Sequence, residues 1–180
     1  GGSEPVPVDP RQLLEQVIDA HRSQAAMKGL QVDLLHESPV PPMIVTDPFR
    51  LHQALDRLIE NAVRFTDAGR VTIRLSVAVA PRSGGATAGS RLAIVIEDTG
   101  RGMTQERIDA ALIGRSARDD VDAAEQLGLG LRITRSLVHA MGAELRIASK
   151  PGHGTAATIL VDLDPVSEVH ASASHRTPHE

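Results

Sequence analysis

Residues 57–64 combine amide, carboxylate and guanidinium side chains at a spacing that could bind a metal ion and phosphate. Positions i, i+3, i+4 and i+7 share one side of a helix, and here they are Arg57, Glu60, Asn61 and Arg64. The amide oxygen of Asn61 suits Mg²⁺, a hard cation that takes oxygen ligands. A guanidinium suits phosphate oxygens. Taken alone, the pattern is more often that of a solvated helix face.

A second group, Asp98-Thr99-Gly100-Arg101-Gly102, directly follows an apolar run that is typical of a buried strand. An aspartate at such a strand end can accept a hydrogen bond from the exocyclic amine of adenine, and hydrogen bonds to charged groups contribute about 1.5–3 kcal/mol. The glycines allow the backbone to approach a flat ligand closely. The alternative interpretation is an ordinary Asp-Thr-Gly turn.

The third group is Gly128-Leu129-Gly130-Leu131, which we expect at the start of a helix. Backbone amides at a helix N-terminus bind phosphate, and glycine leaves them accessible. A glycine-softened helix start without a ligand is the alternative. Because Phe49 and Phe65 are the sole aromatic residues of the sequence, we expect a planar ligand to be held by aliphatic walls and hydrogen bonds rather than by stacking.

Helices and short strands must position these groups. Asp47 and Pro48 predict a helix over 48–65, because Asp caps helices and Pro is favoured at their first position. Apolar periodicity predicts further helices over 9–28, 104–111 and 128–141, and strands over 30–36, 43–45, 70–80, 91–97, 143–149 and 155–162. This order predicts an α+β fold, a two-layer sandwich in which helices cover one face of a mixed, mostly antiparallel sheet.

The same patterns predict one domain over residues 9–163. We expect residues 1–8 to be a linker that starts with an engineered Gly-Gly-Ser leader, and residues 164–180 to be a disordered tail or linker.

Composition excludes several classes of function. The chain has 180 residues, a formal net charge of −4 and no cysteine, which excludes disulfides and thiolate metal sites and suits the cytoplasm. The mild negative charge gives no reason to expect a nucleic-acid partner. No apolar run approaches the roughly 20 residues needed to cross a bilayer.

In order and spacing, the three groups resemble the catalytic, ATP-binding domain of two-component sensor histidine kinases. These domains belong to the GHKL superfamily and have the Bergerat fold. Residues 47–66 resemble the family's N box, 98–103 its first glycine box and 128–131 its second, and 141–145 with 152–155 resemble its closing segment. Four motifs in the same order outweigh the separate alternatives given above.

The resemblance implies ATP and Mg²⁺ as ligands and gives roles to individual residues. Asn61 would ligate Mg²⁺ and take part in catalysis, Asp98 would bind adenine, and Arg64 would contact phosphate. Residues 112–127 would form a mobile lid over the nucleotide. The other implied nucleotide contacts are Gly100 and Gly102 of the base pocket, with Phe65, Met103, Gly128, Leu129, Gly130, Leu131 and Thr155.

Three features depart from the family pattern. Arg57 stands where sensor kinases usually carry a second Asn and hydrolytic relatives carry a Glu that activates water. Arginine stays protonated and cannot act as a general base, so we expect poor ATP hydrolysis, with either altered Mg²⁺ coordination or an extra phosphate contact. Glu60 is a weaker candidate for the base, since it lies about 100° around the helix from Asn61. Gln126 replaces a frequent glycine, and the lid lacks the usual phenylalanine.

The implied function is donation of the γ-phosphate of ATP to a histidine on a separate dimerisation and phosphoacceptor domain, for relay to the receiver domain of a response regulator. None of the 8 histidines stands in the expected acceptor context, so we expect ATP binding without autophosphorylation by this chain alone. Two alternatives stay open: a degenerate, non-catalytic nucleotide-binding module, and a gyrase- or chaperone-type ATPase. Whether the parent protein is an inner-membrane sensor is open as well.

Overall fold

The computed structural model describes residues 4–81, 88–113 and 121–163. The predicted tail and residues 114–120 of the predicted lid lie outside these ranges. The described helices are α1 (Pro10–Met27), α2 (Pro48–Phe65), α3 (Gln105–Ile113) and α4 (Val121–Ala140). The described strands are β1 (Val6–Val8), β2 (Gln31–His36), β3 (Ile44–Thr46), β4 (Arg70–Pro81), β5 (Ala88–Asp98), β6 (Glu144–Lys150) and β7 (Gly154–Asp162). None of these helices is both long and apolar enough to cross a membrane.

One five-stranded sheet with the order β2-β4-β5-β7-β6 forms one layer of the fold. The β2–β4 pair is parallel and the other neighbours are antiparallel. β1 and β3 form a separate antiparallel pair. The helices form the second layer and contact both one another and the sheet. The predicted two-layer α+β sandwich with a mostly antiparallel sheet is therefore confirmed.

The strand register aligns a row of buried apolar residues that ends at a polar residue. Ile73 of β4 lies opposite Ile96 of β5, which lies opposite Ala157 of β7, and all three are buried. Because side chains two residues apart share a face of a sheet, Asp98 continues the row of Ile96, and it lies opposite Thr155. The buried face of the sheet thus ends in a carboxylate.

Helix α2 begins and ends where the sequence predicts. Asp47 caps it, since Asp47 Oδ1 accepts hydrogen bonds from the backbone N–H groups of Phe49 and Arg50, both at 3.1 Å. A cap of this kind contributes about 1 kcal/mol. The buried residues of α2 are Leu51, Ala54, Leu55, Leu58, Ile59, Ala62 and Val63.

Two elements differ from the sequence prediction. The strand β1 was missed, because three residues that include Pro7 are too short for an alternating pattern. Helix α4 begins at Val121, so the predicted start near Gly128 was wrong. The residues before Gly128 are mostly strong helix formers, namely Ala123, Ala124, Glu125, Gln126 and Leu127. Gly128 therefore does not mark the start of this helix.

Candidate functional site

A cavity lies between helices α2, α3 and α4 and the β5–β7–β6 part of the sheet. The space inside it, including its open mouth, is about 750 Å³. Its lining residues are Leu58, Asn61, Ala62, Phe65, Ile96, Asp98, Arg101, Gly102, Met103, Arg107, Leu131, Ile147, Thr155 and Ala157.

The cavity brings together residues from all three groups that the sequence singles out. The predicted site residues that line it are Asn61, Phe65, Asp98, Gly102, Met103, Leu131 and Thr155. Phe65 contributes an aromatic ring to the lining, so the walls are not wholly aliphatic as expected, while binding of a planar ligand without stacking stays a prediction. The apolar wall residues Ile96, Ile147 and Ala157 were missed, although strand alternation before Asp98 could have indicated Ile96.

Asp98 lies at the end of β5 and is 9% exposed. Its Oδ1 accepts hydrogen bonds from the backbone N–H groups of Gly100 at 2.9 Å and Thr155 at 3.3 Å. Burial raises the pKa of Asp98, while these two hydrogen bonds oppose the rise. Within the described ranges no hydrogen bond reaches Oδ2. One carboxylate oxygen is therefore fixed, and the other is open to a donor in the cavity.

Two glycines allow backbone segments to pack directly around Asp98. Gly102 has a φ of +68° and Gly154 a φ of +87°, a region that other residues rarely adopt. A Cβ on Gly154 would overlap the carbonyl oxygen of Asp98, and a Cβ on Gly102 would overlap that of Lys150. Gly154 therefore lets its segment pack on the backbone of Asp98, and Gly102 lets the first glycine box pack on the end of β6.

Two buried polar atoms beside the cavity, Asn61 Nδ2 and Thr66 Oγ1, have no hydrogen-bond partner in the described part of the chain. Thr66 is fully buried, and its hydroxyl lies 3.0 Å from where a Cβ on Gly100 would be. An unpaired buried polar group costs about 1–3 kcal/mol. We therefore expect a bound molecule or ordered water to complete both groups.

The amide of Asn61 faces helix α4. A Cβ on Gly130 would lie 3.4 Å from Asn61 Nδ2 and 3.8 Å from its Oδ1. The lack of a side chain at Gly130 therefore leaves space for the Asn61 amide. The described ranges contain no cluster of three His, Cys, Asp or Glu residues that could hold a metal. A single amide nevertheless fits Mg²⁺ when phosphates and waters supply the other ligands, as Mg²⁺ prefers.

Three predicted polar residues lie on α2 but outside the cavity lining. Glu60 and Arg64 form an ion pair at 3.7 Å between Oε1 and Nη2, with both side chains nearly half exposed. Arg57 is half-buried one turn before Asn61. The predicted catalytic or phosphate-binding roles of these residues stay predictions.

The second glycine group lies within α4 rather than at its start. Inside a helix, backbone N–H groups bond to carbonyl groups four residues earlier. The expected free amides of a helix N-terminus at Gly128 and Leu129 are therefore a wrong prediction for this structure. Gly130 still borders the amide of Asn61, and Leu131 lines the cavity.

Two arginines at the cavity were not predicted as site residues. The Arg101 guanidinium lies 5.7 Å from the centroid of the Phe65 ring, which is within the range of a cation–π contact. Arg107 of α3 also lines the cavity. Arg101 could have been suspected from its place between two box glycines, whereas no pattern marks Arg107. Both cations favour an anionic ligand.

Comparison with known proteins gives a family match and a curated relative. The family model for histidine kinase-, DNA gyrase B- and HSP90-like ATPases matches residues 46–165. The aerobic respiration control sensor protein ArcB of Escherichia coli strain K12 is 32% identical over 165 residues, which are 90% of this chain and 20% of ArcB. The chain thus spans about a fifth of the length of this relative.

Solved structures match the fold. Full-length ShkA in complex with AMPPNP matches with a TM-score of 0.71 and 29% identity over 91% of this chain and 32% of ShkA. The nucleotide-free catalytic domain of histidine kinase ThkA matches with a TM-score of 0.71 and 14% identity, over 91% of this chain and 99% of that domain. The expected Bergerat fold is therefore confirmed.

Proposed function

Because this chain belongs to the family of histidine kinase-, DNA gyrase B- and HSP90-like ATPases, we propose that it is the ATP-binding catalytic domain of a two-component sensor histidine kinase. In this role it binds Mg-ATP and donates the γ-phosphate to a histidine on a separate phosphoacceptor domain of the same or a partner chain. The phosphoryl group then passes to the receiver domain of a response regulator.

One observation carries the proposal: Asp98 and Asn61 line the same cavity from opposite layers of the fold. Asp98, at the sheet, offers an open carboxylate oxygen to the exocyclic amine of adenine. Asn61, on α2, presents its amide beside α4, and the amide nitrogen Nδ2 has no hydrogen-bond partner among the described residues. An adenine seated at Asp98 leaves the amide and the cationic Arg101 and Arg107 available to the rest of a nucleotide.

Each residue has a separate task in the proposed reaction. Asp98 orients the base, and the apolar walls exclude water from it. Asn61 would hold Mg²⁺, which when bound supplies neutralising charge at the phosphate oxygens. Phosphoryl transfer depends mostly on positioning and charge stabilisation. These tasks therefore suffice for the donor half of the reaction, and the separate domain supplies the acceptor.

Hydrolysis of ATP by this chain alone is proposed to be slow. Arg57 stays protonated and cannot activate water. Glu60 is paired with Arg64 away from the cavity lining. Among the described lining residues, Asp98 is the one carboxylate, and it is assigned to the base. This arrangement disfavours the gyrase- or chaperone-type ATPase.

Phosphate transfer to an added acceptor tests the proposed function. With γ-labelled ATP, we expect the chain alone to bind nucleotide but to yield almost no labelled protein or free phosphate. Addition of a cognate phosphoacceptor hairpin domain should raise labelled protein by at least about a hundredfold, because positioning donor and acceptor supplies most of the rate.

The other outcomes separate the alternative functions. Rapid release of free phosphate without an acceptor would favour the hydrolytic class. Tight Mg-ATP binding without transfer to the hairpin would favour a degenerate, regulatory module. Arg57 and Gln126 motivate that interpretation. Failure to bind ATP at all would contradict the kinase, the hydrolytic ATPase and the degenerate nucleotide-binding module alike.

Binding of adenosine is expected to weaken as pH falls. Since burial raises the pKa of Asp98 in the ligand-free protein, this carboxyl group takes up a proton more readily than an ordinary aspartate and then loses acceptor strength. Below that pKa, affinity should fall by up to about tenfold per pH unit. Calorimetric titration with adenosine, which carries no titrating phosphate, measures the effect. A flat profile well into the acidic range would contradict it.

A further inference from the structure

The C-terminus of helix α1 holds one lysine in a fixed place. Lys28 is the C-cap residue, and Gly29 follows it with a φ of +69°. The N–H of Leu30 donates to the carbonyl of Ala25 at 2.9 Å, and that of Gly29 donates to the carbonyl of Ala26 at 3.0 Å. These two bonds form a Schellman motif, which fixes the backbone at Lys28.

The ammonium group of Lys28 reaches the C-terminus of a different helix, α2. Its Nζ donates hydrogen bonds to the carbonyl oxygens of Val63 at 2.7 Å and Arg64 at 3.0 Å. Carbonyl groups in the last turn of a helix lack intrahelical partners. Helix α2 has no left-handed cap of its own, since Thr66 is extended with φ −106° and ψ 113°. The cap of α2 therefore comes from α1.

Charge favours the same arrangement. His21 of α1 contacts Asp56 of α2 at 2.7 Å, and Lys28 contacts Val63 seven residues further along both helices. Because the contacts advance in the same direction along both helices, α1 and α2 run parallel. Their C-termini consequently lie side by side, and each carries a partial negative charge. A cation between them stabilises both ends.

The turn of α2 that Lys28 caps is the one that carries the cavity residues. Asn61 and Phe65 lie on either side of the two capped carbonyls in sequence, and both line the cavity. The carbonyl of Phe65 also accepts a hydrogen bond from the N–H of Arg101 at 3.5 Å. A shift of this turn would move the amide, the aromatic ring and the first glycine box together.

We propose that Lys28 is a positioning residue for the nucleotide site, through which the end of α1 sets the place of Asn61 and Phe65. The inference rests on the proposed function, because it takes the cavity to be the ATP site. Lys28 lies outside residues 46–165 that match the family model. The position of α1 thus becomes a determinant of nucleotide affinity.

Calorimetry of Mg-ATP binding to variants of this chain tests the proposal. Lys28→Met keeps the apolar stem and removes both donated hydrogen bonds. We expect ATP affinity to fall about fivefold, because only part of the contribution of these two partly exposed, charge-assisted bonds reaches the nucleotide site. Lys28→Arg keeps a donor and should restore affinity to within about twofold of wild type. The matched control is Asp56→Ala, which breaks the other polar contact between the same two helices, at His21, and should leave affinity unchanged.

The outcomes are distinct. Wild-type affinity in Lys28→Met would overturn the inference while leaving the proposed function intact. Equal losses in Lys28→Met and Asp56→Ala would also overturn it, since general loosening of the helix pair would then explain both. Lack of rescue by Lys28→Arg would count against it in the same way. If the unaltered chain failed to bind ATP, the proposed function would fail first and the inference with it.

Discussion

Replacement of Asp98 by Asn is expected to weaken ATP and adenosine binding by about ten- to hundredfold and to leave the fold intact. The amide oxygen of Asn can still accept the bonds from the backbone of Gly100 and Thr155, so the surrounding backbone keeps its place. The atom that faces the cavity loses its charge or becomes a donor, which cannot accept a bond from the adenine amine. Calorimetric titration measures the loss.

Stability should change in the opposite direction from affinity. A buried carboxyl group with a raised pKa contributes stability that is full below its unfolded pKa and is lost as pH rises through its folded pKa. At neutral pH the ionised carboxylate of Asp98 therefore costs the ligand-free fold free energy, and Asn removes that cost. Thermal unfolding of Asp98→Asn at pH 7 should give a Tm equal to or above that of wild type.

The neighbouring residue provides a matched control. Glu97 precedes Asp98 on β5, is exposed, and pairs with Arg74 at 3.5 Å. Glu97→Gln makes the same change of charge on the other face of the strand, so ATP affinity should stay within about twofold of wild type. Equal losses in both variants would indicate a general electrostatic effect, and no loss in Asp98→Asn would remove adenine recognition from this residue.

Local signals in the sequence predict much of this site. Asp47 and Pro48 mark the start of α2 because capping depends on residues within one turn. Apolar alternation before Asp98 marks the end of a buried strand, and the order of the motifs then indicates the family. The register of β5 against β7 places Asp98 beside Thr155. Local sequence patterns do not contain this register.

Contacts between distant elements explain what the sequence could not show. Lys28 is 35 residues from Val63, and no periodicity connects an exposed lysine with the end of another helix. Likewise, nothing in the sequence distinguishes Arg107 of α3 from a solvated surface arginine. The early start of α4 has a different cause: good helix formers extend a helix through glycines whose cost is about 1 kcal/mol each.

Removal of the amide at Asn61 should separate phosphate chemistry from base recognition. We expect Asn61→Ala to reduce transfer from Mg-ATP to an added phosphoacceptor hairpin by about a hundredfold or more, comparable to loss of one stabilising group in a transition state. Adenosine affinity should stay within about threefold, because Asp98 and the apolar walls are untouched. Burial of the base against those walls does not depend on the Asn61 amide. Initial rates of label transfer and calorimetry with adenosine measure the two effects.

Glu60→Ala is the control for Asn61→Ala, because it removes a polar side chain from the adjacent position of the same helix. Glu60 lies outside the cavity lining and pairs with Arg64, and an exposed pair of this kind contributes little. Transfer by this variant should stay within about threefold of wild type. A large loss on changing Glu60 would favour it as a general base, whereas full transfer by Asn61→Ala would show that the metal and phosphates are held elsewhere. Loss of adenosine binding together with transfer would mean that Asn61 shapes the whole cavity rather than its phosphate end.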